Sequence, residues 1–585
     1  MKKRIGESVS QGRLHWRSVV NWGPRWLIPA VLAWSGSSAP IVRAGSISLD
    51  GWQTVVNNTV VFPGDTRTFN SYNQPSINDA GLVVFRGRSS GKPGGEPSSG
   101  IFTRDMSSAG QPLSVIATRA MLAPVPSPLP PGVTATNSKF NEFPAIPRID
   151  RRSNTVVTRG QSGPTLEDPS PTPEDPTATT RVGTSGIYTN PSGPLTVGAA
   201  ITGNLPGFGQ FQVPGTTPGT KFDQFPGAPS VTDTSTVVFK GNWTDATGTP
   251  QTGVYWRDVA NSANPVVKIA DSNMNIPASE TRFGSTAPPS AAAGKAVFLG
   301  VNNEAQPTLG GIYMADLSPL PTLNSIVRIG DVAPGFAVNS DNTFTRLGEA
   351  LSYDGRYVAF WGGVGSATNS LLLTCPEDGN ADVLEYCMLG PDGLPGTGDE
   401  FDNYPVTVPT YQGIFVADTQ DGSVDLVAST WGSDGFTDFV YWGFTGRPPG
   451  VGGGDDPEES LELARWRSTS FVAVDNGMVA FKGNKGDAFG LYLGSADAGS
   501  LLTIAEMGWE GSLIDPSAAG MGISSLGIER DGFRNGRIAI TASMANDLES
   551  MAGVYVVSTV PEPGTLTLVG MAVTALVFHS RRRRR

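Results

Sequence analysis

From residue 65 to residue 557 the chain repeats one alternation of apolar and polar positions. An aromatic lead-in and a turn precede a β-branched run that ends in an aromatic and often a glycine. A Gly-aliphatic-aromatic strand and a final aliphatic strand follow. The first copy reads Ile77-Asn78-Asp79-Ala80-Gly81-Leu82-Val83-Val84-Phe85-Arg86-Gly87, then Gly100-Ile101-Phe102, then Val115-Ile116-Ala117. Its core returns at Val156-Val157, Val237-Val238-Phe239, Ala296-Val297-Phe298, Val358-Ala359-Phe360, Val479-Ala480-Phe481 and Ile538-Ala539-Ile540. Its second half returns at Gly186-Ile187-Tyr188, Gly253-Val254-Tyr255, Gly311-Ile312-Tyr313, Gly413-Ile414-Phe415, Gly490-Leu491-Tyr492 and Gly553-Val554-Tyr555. β-branched and aromatic residues fill these runs, Asp, Asn and Gly supply turns that tolerate left-handed backbone, and no long stretch has helical apolar periodicity.

Seven copies of four strands each predict an all-β fold, a β-propeller of about seven blades that buries strand edges by packing units around a channel. A linear β-solenoid is the alternative, with ends that need caps. Copies two and four lack the Asn-x-x-Gly turn, so irregular hairpins are expected there. Residues 434–443 have the look of an incomplete eighth copy. Long insertions interrupt the body at about 362–410 and 429–465. The last copy lacks a fourth strand, and Trp52 to Phe62 is strand-like without a copy of its own. The N-terminal segment is therefore expected to close the ring, with Val55, Val56, Val60 and Val61 beside residues 553–557.

Composition sharpens the picture. Gly 73 and Pro 47 fit a turn-rich chain, and only 16% of residues are charged. Residues 45–559 hold 29 basic against 51 acidic side chains, about −22 in net charge, which repels phosphate backbones and excludes nucleic acid as a partner. The two histidines, His15 and His579, lie outside this body, so His-dependent triads, His-ligated zinc and His-based pH switching are excluded. Gly450 to Gly454 and Gly207-Phe208-Gly209 lack the following helix and Lys-Ser/Thr pair of a phosphate loop.

The ends read as addresses. Six basic residues, Lys2 to Arg25, precede the apolar run Trp26 to Trp34 and the small-residue site Val42-Arg43-Ala44, the order of a secretory signal over residues 1–44. At the other end Pro561-Glu562-Pro563 precedes a short apolar stretch, Thr565 to Phe578, and five terminal arginines. That stretch is well under the ~20 residues that span a bilayer comfortably, and the arginines should stay on the cytoplasmic side. Residues 560–585 resemble a PEP-CTERM sorting signal. The resemblance implies an exosortase-type partner, a short transmembrane helix removed after export, and delivery to the surface or extracellular matrix of a polysaccharide-producing Gram-negative bacterium. A plain C-terminal anchor is the competing reading. The repeats, clearest at Asp475-Asn476-Gly477-Met478-Val479-Ala480-Phe481 and at Ser352 to Phe360, resemble the tandem Asn-x-x-Gly-x-x-Ala-Phe family of surface proteins, and the second phrase also resembles a blade of the Tol-system propellers. This implies a fold and a location without an assigned activity.

Candidate chemistry concentrates in the first insertion. Cys375 and Cys387, in an exported chain, are expected to pair and close a small loop. Between them Asp378, Asn380 and Asp382 alternate as in the first half of a calcium loop, with Glu385 nearby. Hard oxygen ligands suit calcium, and a solvated acidic loop is the alternative because no Glu stands at the twelfth position. The prolines and acids between Pro164 and Pro176 read as an exposed extended loop. No catalytic residue is assigned. The favoured function is a non-enzymatic surface propeller that binds exopolysaccharide or surface proteins. The alternative is an extracellular carbohydrate-active enzyme with paired carboxylates, for which the strand-end acids Asp105, Asp258, Asp316 and Asp418 compete with a simple turn-forming role.

Overall fold

The computed structural model describes residues 47–561 apart from 92–94, 171–174, 176, 305, 337–340, 376–380, 433, 440–470, 487 and 497–500. The expected signal-peptide segment, 1–44, lies outside the described residues. The body is a β-propeller. Among the described residues seven sheets each take one sequence copy, with strands A to D in chain order from one edge to the other. In the first, strand A is a bent pair, Phe69–Tyr72 and Ser76–Ile77, and B, C and D are Leu82–Ser89, Ser99–Asp105 and Ser114–Thr118.

Two features of the repeated phrase have a packing cause. The glycine that ends the β-branched run lies under the lead-in aromatic ring: a Cβ on Gly241 would stand 2.6 Å from Phe222, and Gly87, Gly160, Gly300, Gly362 and Gly483 face Phe69, Phe140, Phe283, Phe344 and Phe436 in the same way. Only the seventh sheet differs, with Ala542 where the lead-in is the smaller Ile523. The second glycine, opening strand C, sits where the C–D ladder slips by one residue. The slip falls between Ile101 and Phe102 in the first sheet and between the equivalent residues in the others. Such a bulge drives a strand D carbonyl toward strand C. A Cβ on Gly311 would meet the Val327 carbonyl at 2.2 Å.

The last copy takes its strand D from the other end of the chain. Ile47–Asn57 pairs antiparallel with Ser550–Pro561, with Gln53 opposite Val556 and Val56 opposite Val554. The slip recurs between Val554 and Tyr555, and the Val56 carbonyl stands 2.7 Å from where a Gly553 Cβ would be. Val60 and Val61 are not in this sheet: the strand ends at Asn57, and Val61 bridges Thr68 instead. Apolar clusters join each sheet to the next. They run from Val84 with Ile149 through to Ile504 with Ile538, and one cluster joins the seventh sheet to the first through Val55, Val554, Phe69 and Phe85.

Other expectations change. Residues 434–439 do not begin an eighth copy, because Phe436 and Phe439 are the aromatic lead-in of the sixth sheet and Asp438 bridges Asn484 there. The fourth hairpin is a tight turn through Ala293 and Gly294, both with positive φ, rather than an irregular one. The proline-rich stretch is partly strand. Leu166–Pro169 pairs with Thr179–Val182 and with Thr134–Ala135 in a separate three-stranded sheet, closed by a Glu167–Arg181 ion pair. The first insertion is an extension of the fifth blade, where strands Tyr357–Thr374 and Asn403–Asp418 continue as a two-stranded arm from Thr368 opposite Pro409 to Thr374 opposite Asn403. Beyond it lies a helix, Ala381–Met388. Among the described residues no helix is long and apolar enough to cross a membrane. The stretch 565–578 lies outside the described residues.

Candidate functional site at the channel mouth

Alternate residues of each strand A form rings about the axis. The first ring holds Ser76, Arg148, Ser230, Ser290 and Ser352, and its serines stitch blades together. The Ser230 hydroxyl accepts the Ala291 N–H at 3.1 Å, Ser290 accepts the Tyr353 N–H at 3.1 Å, and Ser352 accepts the Val474 N–H at 3.2 Å. The next ring, at the start of the A–B turns, repeats the device with carboxylates. Asp150 accepts from Thr234 N–H, Asp354 from Asn476 N–H at 2.7 Å, and Asp475 from Gly536 N–H at 3.1 Å. Short polar side chains suit these positions because each satisfies a backbone donor that no ladder reaches.

Arginines close the axis. Arg148, fully buried, pairs with Asp531 and donates to the Pro289 carbonyl at 2.8 Å, and Arg534 joins Asp531 to the Val474 carbonyl. Burial would raise Asp531, but the Arg148 and Arg534 charges hold it below the usual carboxylate range. One layer nearer the turns, Arg151 spans from the second blade to three others. Its Nε is 3.0 Å from Asp79, its Nη2 2.8 Å from Asp475, and its Nη1 donates to the Asp354 carbonyl at 2.6 Å. Burial would lower this guanidinium, yet Asp79, Asp475 and Asp354 together hold it above its ordinary value.

Over Arg151 the turns frame an open cavity of about 500 Å³, lined among others by Asp79, Arg152, Tyr357, Gln420 and Asn476. A smaller one of about 240 Å³ shares Arg151, Arg152, Ala293 and Asp354 with it and adds Asp150, Asp233 and Thr234.

A different group lies about the bend between the two pieces of strand A. Lys240, Glu304 and Glu349 come from the third, fourth and fifth blades, with Glu529 and Arg530 from the seventh. Burial, then the Glu304 charge, pushes the Glu349 carboxyl up against the pull of Lys240 and Arg530. Burial lowers Lys240, although Glu304 and Glu349 oppose it. Ser285 donates to Glu304 at 2.7 Å. Glu529 is fully buried with neither oxygen hydrogen-bonded. Burial raises it, though the Arg530 Nε lies 3.2 Å away.

The residues singled out from sequence lie elsewhere. Cys375 and Cys387 are bonded, with Leu373 and Tyr404 packed on Cys387. Asp382 and Glu385 fall on the helix, Glu385 exposed, whereas Asp378 and Asn380 are outside the described residues. Among the described residues no group of three His, Cys, Asp or Glu could hold a metal ion. Pro561 ends the last strand, and Glu562 and Pro563 are outside the described residues. Three of the strand-end acids close turns: Asp105 accepts from Ser107 N–H, Asp258 from Ala260 N–H and Asp418 from Gln420 N–H, while Asp316 pairs with Lys295. Sequence reading missed Arg151 and Glu349. The signal for Arg151 was an Asp-Arg-Arg turn in place of Asp-x-Gly in the second copy.

A PEP-CTERM protein-sorting motif matches residues 559–584. It marks a secreted, surface-targeted chain, typically membrane-anchored before processing by an exosortase-type enzyme. No curated protein matches the chain. Similar solved structures include the β-propeller domain of the Trilobed protease from Pyrococcus furiosus, at 10% identity over 84% of this chain and 94% of that one, TM-score 0.36. A putative TolB from Agrobacterium tumefaciens is 12% identical over 63% and 84% of the two chains, TM-score 0.26. The polysaccharide lyase Uly1 is 7% identical over 88% and 100%, TM-score 0.37.

Proposed function

We propose that the mature protein is a non-enzymatic propeller of the cell surface or extracellular matrix of a Gram-negative, polysaccharide-producing bacterium, and that it binds exopolysaccharide. Residues 1–44 serve as the signal peptide, 45–559 as the body and 560–585 as the sorting tail. The observation that carries the binding reading is the state of the acids at the turn face. Asp79, Asp354 and Asp475 all turn to one guanidinium and tie blades together rather than flanking a substrate as a free carboxylate pair, and the axis below is filled by paired arginines. Retained glycan binding without release of reducing or unsaturated ends, measured on the secreted body with polysaccharide from the producing cells, is the expected result. Turnover would overturn it.

A second reading, a carbohydrate-active enzyme, is favoured by one observation: Glu349 is held toward its protonated form beside Glu304, as a general acid requires. If turnover is seen, Glu349→Gln should abolish it while leaving binding in place. The arm is a separate proposal, with Asp378, Asn380, Asp382 and Glu385 holding calcium weakly, in the ~10⁻⁴–10⁻³ M range of extracellular modules. Calcium should then change protease cleavage within 375–402, and no change several-fold above that range leaves a solvated loop. Loss of the tail is checked by intact mass, and chains still ending in Arg585 as the main mature species would contradict it.

A further inference from the structure

The turn-face cavity has three exposed polar side chains left over once the Arg151 network is built, those of Arg152, Gln420 and Asn476. The Arg152 guanidinium is exposed and has no hydrogen bond or ion pair among the described residues, although its own N–H is held by Asp150. Asp79 spends Oδ2 on Arg151, while its Oδ1 is buried without a hydrogen-bond partner. The side chains of Gln420 and Asn476 make no hydrogen bond among the described residues, though their N–H groups are bound by Asp418 and Asp354. These three and Asp79 line the same space of about 500 Å³. The backbone N–H of each of Arg152, Gln420 and Asn476 is held by an aspartate, within its own turn for the first two and from the fifth blade for Asn476.

The charge and texture of the cavity select the ligand. Asp79, Asp150, Asp233 and Asp354 outnumber Arg151, Arg152 and Arg356 around the two joined spaces, and Arg356 is already neutralised by Asp418 at 2.5 Å. An anion would meet net negative charge. Asp79 Oδ2 and Asp354 are turned to Arg151, and among the described residues no three acids meet as a metal group. An apolar ligand finds only Ala293 and Tyr357, and the Arg356 guanidinium already lies over the Tyr357 ring at 4.8 Å. What remains is a neutral molecule rich in hydroxyls, each a donor and an acceptor at once, matching an unpaired guanidinium and two free amides. The volume falls in the range of roughly 300–1,000 Å³ usual for small-ligand sites.

We infer that this cavity is a binding site for a short stretch of neutral oligosaccharide, with the Arg152 guanidinium and the side-chain amides of Gln420 and Asn476 bonding its hydroxyls. The inference rests on the reading that the body binds polysaccharide, and narrows it to one site and one class of sugar. The test is calorimetry on the secreted body with neutral gluco- and galacto-oligosaccharides of two to six units, and with uronic-acid oligomers of the same lengths. Neutral oligomers should bind, and Arg152→Ala, Gln420→Ala and Asn476→Ala should each weaken them tenfold or more. Arg152→Ala should do so with an unchanged melting temperature, since the side chain holds nothing in the fold. Uronic-acid oligomers should bind at least tenfold more weakly. Binding that survives the Arg152→Ala, Gln420→Ala double variant would overturn the site and spare the broader reading. Preference for uronic-acid oligomers would overturn the ligand class. Failure of every oligomer and of the producing cell's polysaccharide to bind at millimolar concentration would overturn both.

Discussion

At the residue scale, the polar groups of the axis divide into those that tie blades and those left for a ligand, and mutation should separate them. Asp531 is the strongest tie, because Arg148 and Arg534 are both buried and both end on it. Removing one partner of a buried charge pair costs about 3–5 kcal/mol. Asp531→Ala should therefore lose that much in denaturant unfolding, against a change within ~0.5 kcal/mol for Arg152→Ala, as for ordinary surface substitutions. Titration adds a sign. Asp531 is held low, as is Glu142, which burial would raise but the Arg86 charge, the Phe143 N–H and Arg88 depress. Their contribution is present above the ordinary carboxylate range and is lost as pH falls through the lowered values. Glu529 runs the other way. Raised by burial, it favours the fold below its unfolded pKa, and that contribution is lost as pH rises through the folded value. Glu529→Gln should therefore gain stability relative to wild type as pH rises from 5 to 8 in thermal melts, and a constant difference across that range would refute the assignment.

At the scale of one blade, the repeated phrase records steric contacts between strands. Glycine ends strand B's apolar run because a lead-in ring lies on it, and glycine opens strand C because a bulged strand D carbonyl presses on it. Gly241→Ala places a Cβ against Phe222, an overpacking that costs about 1–3 kcal/mol. Phe222→Leu in the same chain should recover part of that loss, as Ala542 with Ile523 already does in the seventh sheet. A double-mutant cycle in urea measures the recovery, and strict additivity would count against the contact. This is also why so much of the fold was legible. Strand A, B and C signals are local, and the ring-on-glycine pair keeps both residues in one phrase. The departures had non-local or weak signals. The lead-in at Phe436 is separated from its blade by residues 440–470, so it looked like a stray copy. The arm and its helix hide in an acidic run with only one turn of helix on either side of Glu385. The candidate cavity was not legible at all, because Asp79, Arg152, Gln420 and Asn476 meet only when the first, second, fifth and sixth blades share one axis.

At the scale of the whole molecule, the N-terminal strand is the piece whose loss reaches farthest. Val55-Val56 occupies in the seventh sheet the place that Ile116-Ala117 and Ile269-Ala270 occupy in the first and third, down to the slipped register and the carbonyl against glycine. The strand also holds the seventh sheet to the first. Val55 and Val56 share a cluster with Phe69, Phe85 and Val554, and Arg104 of the first blade donates to the Val55 carbonyl at 2.6 Å. Deleting residues 46–62 would remove these contacts together and leave strand C of the seventh sheet, Ser550–Pro561, as a bare edge of apolar, β-branched residues. Such edges pair with other chains. The deletion should lower the melting temperature, expose the amides of 553–557 to hydrogen exchange, and promote aggregation. Adding a peptide of residues 46–62 should reverse all three, since a strand that pairs by ladder and cluster needs no covalent link to its place. A linear stack of repeats would lose only its first unit, so an unchanged melting temperature, or exchange that rises at 69–118 while 553–557 stays protected, would refute closure by this strand.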